Sequence, residues 1–260
     1  MSYLIDSHCH LTYYKKENIN QIIKDAIDNN ILILENVCVD LTDIPQLREI
    51  SQEHDNIYYS VGVHPCNVTN INQDDLYNQL TEFACNDNKI NAIGETGLDY
   101  YHSIEKKELQ KINFATQIEA ARTLDLPVII HARNTDEDMI KILEYEMQKK
   151  KFKAVLHSFA SSEKLFRAAL DMDIYISFSG ILTFKSSEEL RNIAKHISLD
   201  KVLIETDSPF LAPQLYRGQE NRPSYIKNTA DILEKLLGID DIAKVTTDNF
   251  YKLFDKTAVL

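Results

Sequence analysis

Short apolar runs recur along the whole of this 260-residue chain. They are rich in β-branched residues, and segments with helical periodicity separate them, which is the pattern of repeated strand–helix units around a parallel sheet. The eight predicted strands begin at residues 3–5, 31–39, 58–63, 90–93, 128–130, 154–156, 174–177 and 202–204. Eight such units predict an α/β fold, a TIM-like (β/α)8 barrel.

The segments between the predicted strands are long enough for crossover helices. In residues 109–124, for example, Ile112, Ala115 and Ile118, followed by Leu126, are spaced for one face of a helix. This spacing predicts an amphipathic helix that covers the barrel.

The last part of the chain departs from the strand–helix alternation. Residues 209–223 are polar and contain several turn-forming residues, which indicates a long loop rather than a linker to another domain. Two helices are predicted at residues 226–237 and 242–254, with Gly238 as the C-cap of the first. Because a barrel of this length needs no second unit, we expect residues 1–260 to form a single domain.

The chain is acidic, with 28 Lys and Arg against 40 Asp and Glu and a formal net charge of −12. Such a charge repels polyanions at long range, which argues against a general nucleic-acid coat. A nucleic-acid substrate would need a local basic or metallic site. The basic cluster formed by Lys149, Lys150, Lys151 and Lys153 is instead predicted to be a solvated helix end.

The four cysteines form no C-x-x-C pair and show no disulfide-dense spacing, as expected of reduced thiols. The N-terminus shows no basic segment followed by a long apolar stretch, and no later segment approaches the roughly 18 apolar residues of a membrane span. We therefore expect a cytoplasmic protein with no membrane contact. The sequence shows no sign of an obligate protein partner.

Side chains that can bind metal or phosphate stand at the ends of most predicted strands. In chain order they are His8, His10, His64, Glu95, His131, Arg133, His157 and Asp207. Barrel active sites are assembled at the C-terminal ends of the strands, so we expect these side chains to meet. The other histidines, His54, His102 and His196, lie in polar or helical surroundings, where ordinary surface roles are expected.

Six of these residues predict a binuclear metal site. They are His8, His10, Glu95, His131, His157 and Asp207. Because strand residues alternate faces, His8 and His10 point the same way and Cys9 is predicted to be a packed thiol. Imidazoles with carboxylates suit Zn²⁺, Mn²⁺, Ni²⁺ or Fe²⁺, whereas Mg²⁺ normally takes fewer nitrogens, and the sequence does not decide the identity of the ions.

Two ions about 3.5–4 Å apart, bridged by a carboxylate, would activate water and hold both oxygens of an in-line displacement. Other mechanisms lack their motifs, because the chain contains no G-x-S-x-G, P-loop or G-x-G-x-x-G sequence. Some metal-dependent barrels use a carbamylated lysine at strand four as the bridge. Here that strand offers Glu95, which makes a native carboxylate bridge the simpler interpretation.

The ordered motifs of the chain resemble those of the TatD-type metal-dependent deoxyribonucleases, which are amidohydrolase-like barrels. The motifs cover nearly the whole chain and read DSHCHL at 6–11, GVHP at 62–65, IGETGLDY at 93–100, VIIHAR at 128–133, LHSF at 156–159, YISFSG at 175–180, LIETDSPFLAP at 203–213, RG at 217–218 and NRP at 221–223. Any one of these blocks is a weak signal, but their order and completeness are specific.

The resemblance implies a metal-dependent deoxyribonuclease, an exonuclease acting on DNA ends or single-stranded regions. It implies two divalent ions per chain, from among Zn²⁺, Mn²⁺, Mg²⁺ and Ni²⁺. One ion would be held by His8, His10, Glu95 and Asp207, and the second by Glu95, His131 and His157, with Glu95 as the bridge.

The resemblance also implies roles in catalysis and substrate binding. Asp207 is the expected general base beside the attacking water, while His64 and Arg133 match phosphate-contacting positions. For Arg133 an ion pair at the top of the barrel is the alternative. Asn134 and Ser158 depart from the commonest family pattern, which has an acidic residue and a cysteine there.

The Tyr100-Tyr101 pair has two interpretations, base stacking or simple packing at a loop edge. Two further functional hypotheses also remain. The same site could hydrolyse a small ester, lactone, amide or phosphoester, since this fold hosts many reactions. A protein that binds metal but has lost catalysis is disfavoured by the complete ligand set.

Overall fold

The computed structural model describes residues 2–257, and eight of its segments form one parallel sheet whose strands are ordered as in the chain. The strands are β1 (Leu4–Cys9), β2 (Ile31–Asn36), β3 (Ile57–Val61), β4 (Ile90–Asp99), β5 (Val128–Arg133), β6 (Ala154–Leu156), β7 (Tyr175–Phe178) and β8 (Val202–Ile204). The (β/α)8 barrel is thus confirmed. The second strand ends three residues before the predicted limit of residue 39.

Helices connect the strands and follow the last one. They are α1 (Lys16–Asp28), α2 (Ile44–Glu53), α3 (Gln73–Cys85), α4 (Lys107–Leu124), α5 (Asp136–Lys149), α6 (Glu163–Asp171), α7 (Glu188–Ala194), α8 (Lys227–Leu237) and α9 (Ile242–Leu253). Gly238 caps α8 in a left-handed conformation, as predicted, and its N–H donates to the Glu234 carbonyl. No helix within residues 2–257 is long and apolar enough to cross a bilayer.

The last strand meets the first through the residues that follow β8. The Asp207 N–H donates to the His8 carbonyl at 2.9 Å, and the His10 N–H donates to the Ser208 carbonyl at 2.8 Å. Cys9 and Ser208 form a parallel bridge. The end of β1 and the segment after β8 are therefore fixed together at the C-terminal end of the barrel.

Two apolar layers stabilise the barrel. One lies between strands and helices and includes Cys9, which is fully buried, as predicted. The second fills the barrel near the N-terminal ends of the strands, where Ile33 and Ile129 pack with Phe250 and Phe254. The C-terminal helix α9, which carries Phe250, and the next residue, Phe254, therefore close this end of the barrel. Burial of one such side chain contributes about 1.5–3 kcal/mol to stability.

The predicted apolar face of α4 is partly wrong, because Ile112 is 50% exposed. The buried face carries amides instead. Gln117 accepts a hydrogen bond from the Val63 N–H and donates to the Val63 carbonyl, and Gln110 does the same with Asp99. These amides serve backbone groups at the ends of β3 and β4, so α4 holds those strand ends in place.

The polar segment at residues 209–223 is a loop, as predicted, but it is anchored to the barrel. It contains the short 3₁₀ helix Gln214–Tyr216, and a second one, Pro223–Tyr225, begins at its last residue. The buried Asn221 amide donates to the carbonyls of Thr206 and Phe210. These bonds fix the loop beside the end of β8.

Candidate metal centre

A cleft of about 1430 Å³ opens at the C-terminal ends of the strands. The predicted site residues that line it are His10, His64, Glu95, His131, Arg133, His157 and Asp207. His8 is fully buried and lies directly beneath, with its Nε2 3.1 Å from that of His10. The fold thus brings all eight predicted residues to one end of the barrel.

Glu95 lies at the centre of this cluster, with imidazole nitrogens around both of its carboxylate oxygens. Oε1 lies 2.8 Å from His157 Nε2 and 2.9 Å from His131 Nδ1. Oε2 lies 3.5 Å from His8 Nε2 and 3.8 Å from His10 Nε2. The two oxygens therefore face two separate sets of nitrogens, as a carboxylate between two ions would.

Glu95 reaches this position from within β4, which is longer than the predicted run at residues 90–93. A register shift between Ile93 and Thr96 lets the strand continue, and it then pairs with β5 as far as Asp99 opposite Arg133. The apolar run stops early because polar residues of the site occupy the rest of the strand.

Asp207 completes the side of the cluster that contains His8 and His10. Its Oδ1 lies 3.3 Å from His10 Nε2 and 3.7 Å from His8 Nε2. The backbone of Asp207 is left-handed, with φ of +53°, and its N–H bond to the His8 carbonyl holds it there. The His8 ring also stacks on the His157 ring, with the centroids 4.0 Å apart.

The spacing of the nitrogens fits shared ions. Bonds of about 2.0–2.1 Å at tetrahedral angles place two nitrogen ligands roughly 3.3 Å apart. The Nε2 atoms of His8 and His10 are 3.1 Å apart, and His131 Nδ1 lies 3.2 Å from His157 Nε2. Only modest adjustment would let each pair share one cation.

Hydrogen bonds on the far side of three imidazoles aim the other ring nitrogen at the centre. His10 Nδ1 lies 3.0 Å from the Val37 carbonyl, and His157 Nδ1 lies 3.3 Å from Glu205 Oε1. In His131 the two ring nitrogens exchange roles, because the outer nitrogen is Nε2, which lies 3.1 Å from Asp99 Oδ2. Because each outer nitrogen donates its proton outward, the inner nitrogen of the neutral ring presents a lone pair to an ion.

The buried carboxylates favour positive charge in this cluster. Burial opposes ionisation of Glu95, but the charge of His157 and hydrogen bonds from His131 and His157 outweigh it and hold the pKa of Glu95 well below its ordinary value. Burial also opposes protonation of His157, but Glu95 and Glu205 outweigh it and raise the pKa of His157 well above its ordinary value. Divalent ions can supply this positive charge in place of protons, so the residues present fit a metal centre.

His64 differs from the other imidazoles of the cluster. Its Nδ1 accepts a hydrogen bond from the Cys66 N–H at 3.1 Å, and its Nε2 lies 3.5 Å from Glu95 Oε1. Burial lowers the pKa of His64 to about 3, so the ring is neutral. A neutral ring that accepts at Nδ1 carries its proton on Nε2, which makes His64 a hydrogen-bond donor towards the cleft.

Arg133 is exposed at the cleft, and none of the carboxylates within residues 2–257 lies within ion-pair distance of it. Its guanidinium instead stacks over the Tyr101 ring, 4.4 Å from the centroid. Tyr100 behaves differently, because its hydroxyl donates to Asp138 and its ring lies beneath Lys107. The two tyrosines thus separate, with Tyr100 packed and Tyr101, 61% exposed, beside the arginine.

Three acidic residues of the site were not among those predicted from the sequence. Asp99 and Glu205 are fully buried and orient His131 and His157, while Asp6 accepts hydrogen bonds from the Thr206 N–H and hydroxyl. Each stands within one of the quoted motifs. The sequence signal was an acidic residue within four positions of a predicted ligand, but sequence spacing alone does not show which group it contacts.

The two departures from the family pattern have local structural correlates. Asn134 adopts a left-handed conformation with φ of +57°, where Asn is tolerated better than most residues. Ser158 is also left-handed, and its hydroxyl lies 2.8 Å from the hydroxyl of Ser179. Neither side chain takes part in the cluster around Glu95.

Gly97 allows β4 to approach His131 closely. Its φ of +136° is one that residues with a side chain rarely adopt, and a Cβ there would lie 2.1 Å from the His131 carbonyl oxygen. The glycine of the GETGLD motif therefore contributes directly to the position of a predicted ligand.

Comparison with known proteins agrees with this geometry. The family described as TatD related DNase matches residues 5–255. This chain belongs to the TatD family. It is 38% identical to the uncharacterized metal-dependent hydrolase YcfH of Escherichia coli over 260 residues, which cover 97% of this chain and 96% of the relative. It is 35% identical to the uncharacterized metal-dependent hydrolase YabD of Bacillus subtilis, with 96% and 98% covered.

Solved structures show the same fold for this TatD-family chain. The TatD homologue YjjV of Escherichia coli superimposes with a TM-score of 0.90 at 23% identity, covering 97% of this chain and 98% of that one. A TatD-family hydrolase from Entamoeba histolytica gives a TM-score of 0.85 at 23% identity, with 99% and 100% covered. Together with the family match, these findings establish a metal-dependent hydrolase with a TIM barrel.

Proposed function

We propose that this TatD-family hydrolase is a deoxyribonuclease that removes nucleotides from DNA ends with the help of two divalent ions. The observation that carries the proposal is the position of Glu95, whose two carboxylate oxygens face two separate sets of imidazole nitrogens. The family description, TatD related DNase, supports DNA as the substrate class.

The ligand sets follow from the oxygens of Glu95. We assign His8, His10 and Asp207, with Glu95 Oε2, to one ion. We assign His131 and His157, with Glu95 Oε1, to the other. When bound, such ions lower the pKa of water and stabilise negative charge on a phosphodiester.

Asp207 is suited to accept a proton from the attacking water. Burial alone would raise the pKa of Asp207, but His10 and His8 outweigh it and lower the pKa below the ordinary value, so the group is ionised at neutral pH. Its side chain is 14% exposed and lines the cleft. The base is therefore placed where substrate and water arrive.

His64 and Arg133 are proposed to hold the phosphate. His64 presents a neutral Nε2–H donor beside Glu95, and Arg133 offers an unpaired guanidinium at the cleft. Two donors on one phosphate would fix the phosphodiester against the centre. The exposed Tyr101 under Arg133 and the exposed pair Tyr13 and Phe210 beside His10 offer aromatic faces for bases.

The charge of the cleft wall favours strand ends over continuous strands. Asp136, Glu137 and Glu189 line the same cleft, where they would repel a polyanion that continued past the centre. A strand end brings only one or two phosphates into this region. This is the basis for proposing an exonuclease.

The test uses chelator-stripped protein reconstituted with Mg²⁺, Mn²⁺, Zn²⁺ or Ni²⁺ and given single-stranded and nicked DNA. Release of mononucleotides, lost in Glu95→Gln but kept in Glu35→Gln, is the expected result. Both glutamates are fully buried, but Glu35 has no contact with the imidazole cluster, which makes it the matched control.

A small ester, lactone, amide or phosphoester is the second candidate substrate, and the same acidic wall favours it because a small neutral substrate is not repelled. Turnover of such esters that depends on Glu95, with no nucleotide release under any ion, would replace DNA with this class. We also propose that residues 1–260 form one domain that works in the cytoplasm, where the four free cysteines would stay reduced.

A further inference from the structure

A second group of possible ligands lies beside the metal centre. It consists of Cys66, Asp99 and His102, whose ligand atoms all lie within 4.8 Å of one another. Cys66 lies in the turn after β3, Asp99 ends β4, and His102 lies in the loop before α4. All three line the cleft, so an ion could reach them from solvent.

Asp99 connects this group to the metal centre. Its Oδ2 lies 2.8 Å from His102 Nδ1 and 3.1 Å from His131 Nε2. Its Oδ1 accepts hydrogen bonds from the N–H groups of Tyr101 and His102, which fixes the carboxylate and the loop together. One carboxylate thus serves both an imidazole of the centre and the half-exposed imidazole of His102.

We propose that Cys66, Asp99 and His102 form a third, exchangeable metal site with a preference for Zn²⁺ and similar ions. A thiolate, an imidazole and a carboxylate together select Zn²⁺ or Co²⁺ over Mg²⁺, because sulfur is a soft ligand. On binding, the Cys66 thiol loses its proton to solvent, and water takes the fourth position.

Two of the three ligand atoms need only a local adjustment to hold an ion. Nitrogen and oxygen ligands of a tetrahedral ion lie roughly 3.3 Å apart, so His102 Nδ1 and Asp99 Oδ2 would separate by about 0.5 Å from their present 2.8 Å. We assign this movement to His102, whose side chain is 50% exposed, because Asp99 is fully buried. The turn that carries Cys66 is held by a hydrogen bond from Lys106 Nζ to the Cys66 carbonyl.

Occupation of this site would act on the hydrolytic centre through Asp99. An ion that draws electron density from Oδ2 weakens the acceptor of the His131 N–H and so weakens His131 as a ligand. We expect excess Zn²⁺ to inhibit the enzyme even though an equivalent ion supports activity in the centre. This second effect rests on the proposed function, whereas binding of the third ion does not.

The test is a Co²⁺ titration of the chelator-stripped full chain, followed by absorption spectroscopy. A thiolate ligand of Co²⁺ gives a charge-transfer band in the near ultraviolet. We expect the third equivalent of Co²⁺ to produce this band. The band should disappear in Cys66→Ser and weaken in His102→Ala. The controls are Cys85→Ser, an exposed thiol, and His54→Ala, whose Nε2 contacts Asn20 at the surface.

The outcomes separate the site from the hydrolytic activity. A band that persists in Cys66→Ser, a band lost in Cys85→Ser, or no thiolate band up to saturation of the wild type would overturn the proposal. If the band depends on Cys66 but DNA is never cleaved, the site stands and the deoxyribonuclease assignment fails. If the enzyme cleaves DNA, excess Zn²⁺ should inhibit the wild type but neither Cys66→Ser nor His102→Ala. Equal inhibition of the wild type and the two variants would refute the link through Asp99.

Discussion

Glu205 offers a direct test of how the imidazoles are oriented. The residue is fully buried, and its Oε1 lies 3.3 Å from His157 Nδ1. Its Oε2 has no hydrogen-bond partner within residues 2–257. Because a neutral imidazole has one N–H, donation to Glu205 leaves the lone pair on Nε2, which lies 2.8 Å from Glu95.

The substitution Glu205→Gln keeps the shape but removes the charge. If the carboxamide oxygen faces His157, its NH₂ group occupies the position of the unpartnered oxygen, and a buried unsatisfied donor costs about 1–3 kcal/mol. If the carboxamide is flipped, its NH₂ group faces the N–H of His157 and favours the wrong tautomer. Loss of such an outer partner typically lowers metal affinity about 10–100-fold, or about 1.4–2.8 kcal/mol.

The affinity is measured by competition with a chromophoric chelator at fixed pH and ionic strength. The matched control is Glu35→Gln, which replaces another fully buried glutamate whose carboxyl oxygens contact no imidazole. We expect weaker metal binding in Glu205→Gln and unchanged metal binding in Glu35→Gln. Equal affinities in the wild type and Glu205→Gln, or equal losses in both variants, would refute this account of His157.

Three other predictions concern the fold, its pH dependence and the substrate. Gly97→Ala should cost about 1–3 kcal/mol in the free energy of unfolding, measured by urea titration, because its Cβ would overlap the His131 carbonyl oxygen; unchanged stability would contradict that contact. Burial raises the pKa of Glu35 to about 8, with Asn91 opposing the shift, so the folded protein keeps a proton that the unfolded chain releases above about pH 4.5. Glu35 alone therefore lowers stability by roughly 1.4 kcal/mol per pH unit between pH 5 and 8, and urea titrations of Glu35→Gln should show a smaller fall than the wild type. Arg133→Ala should lower kcat/KM for a phosphodiester by about 10–100-fold with little change in stability, whereas equal kinetics would remove its phosphate role.

Strand order and the place of the site could be predicted from the sequence because both depend on local patterns. An apolar run followed by a polar side chain marks the C-terminal end of a parallel strand, as with His157 after β6. The rule was less accurate for Glu95, which lies inside β4. A strand that carries site residues has no continuous apolar run, so its true end cannot be found from hydrophobicity alone.

Contacts between distant elements could not be predicted in this way. The buried face of α4 carries Gln110 and Gln117 because backbone groups at the strand ends need hydrogen-bond partners. The pattern of apolar positions along the chain does not show this requirement. His102 was predicted to be an ordinary surface residue, yet it contacts Asp99. That contact depends on the conformation of the loop after β4, which single-residue propensities do not specify.

The charges around the proposed centre match those of two divalent ions. Four carboxyl groups, those of Glu95, Asp99, Glu205 and Asp207, surround the imidazoles of His8, His10, His131 and His157. With neutral imidazoles and ionised carboxylates, these groups carry four negative charges, which two divalent ions balance. A single ion would leave two negative charges to be balanced by imidazolium groups. Burial opposes protonation of these rings, but the neighbouring carboxylates outweigh it and raise the pKa of His10, His131 and His157, so protons balance charge where ions are missing. Two bound ions would replace these protons, which is the reason we propose for both ligand sets inside one barrel.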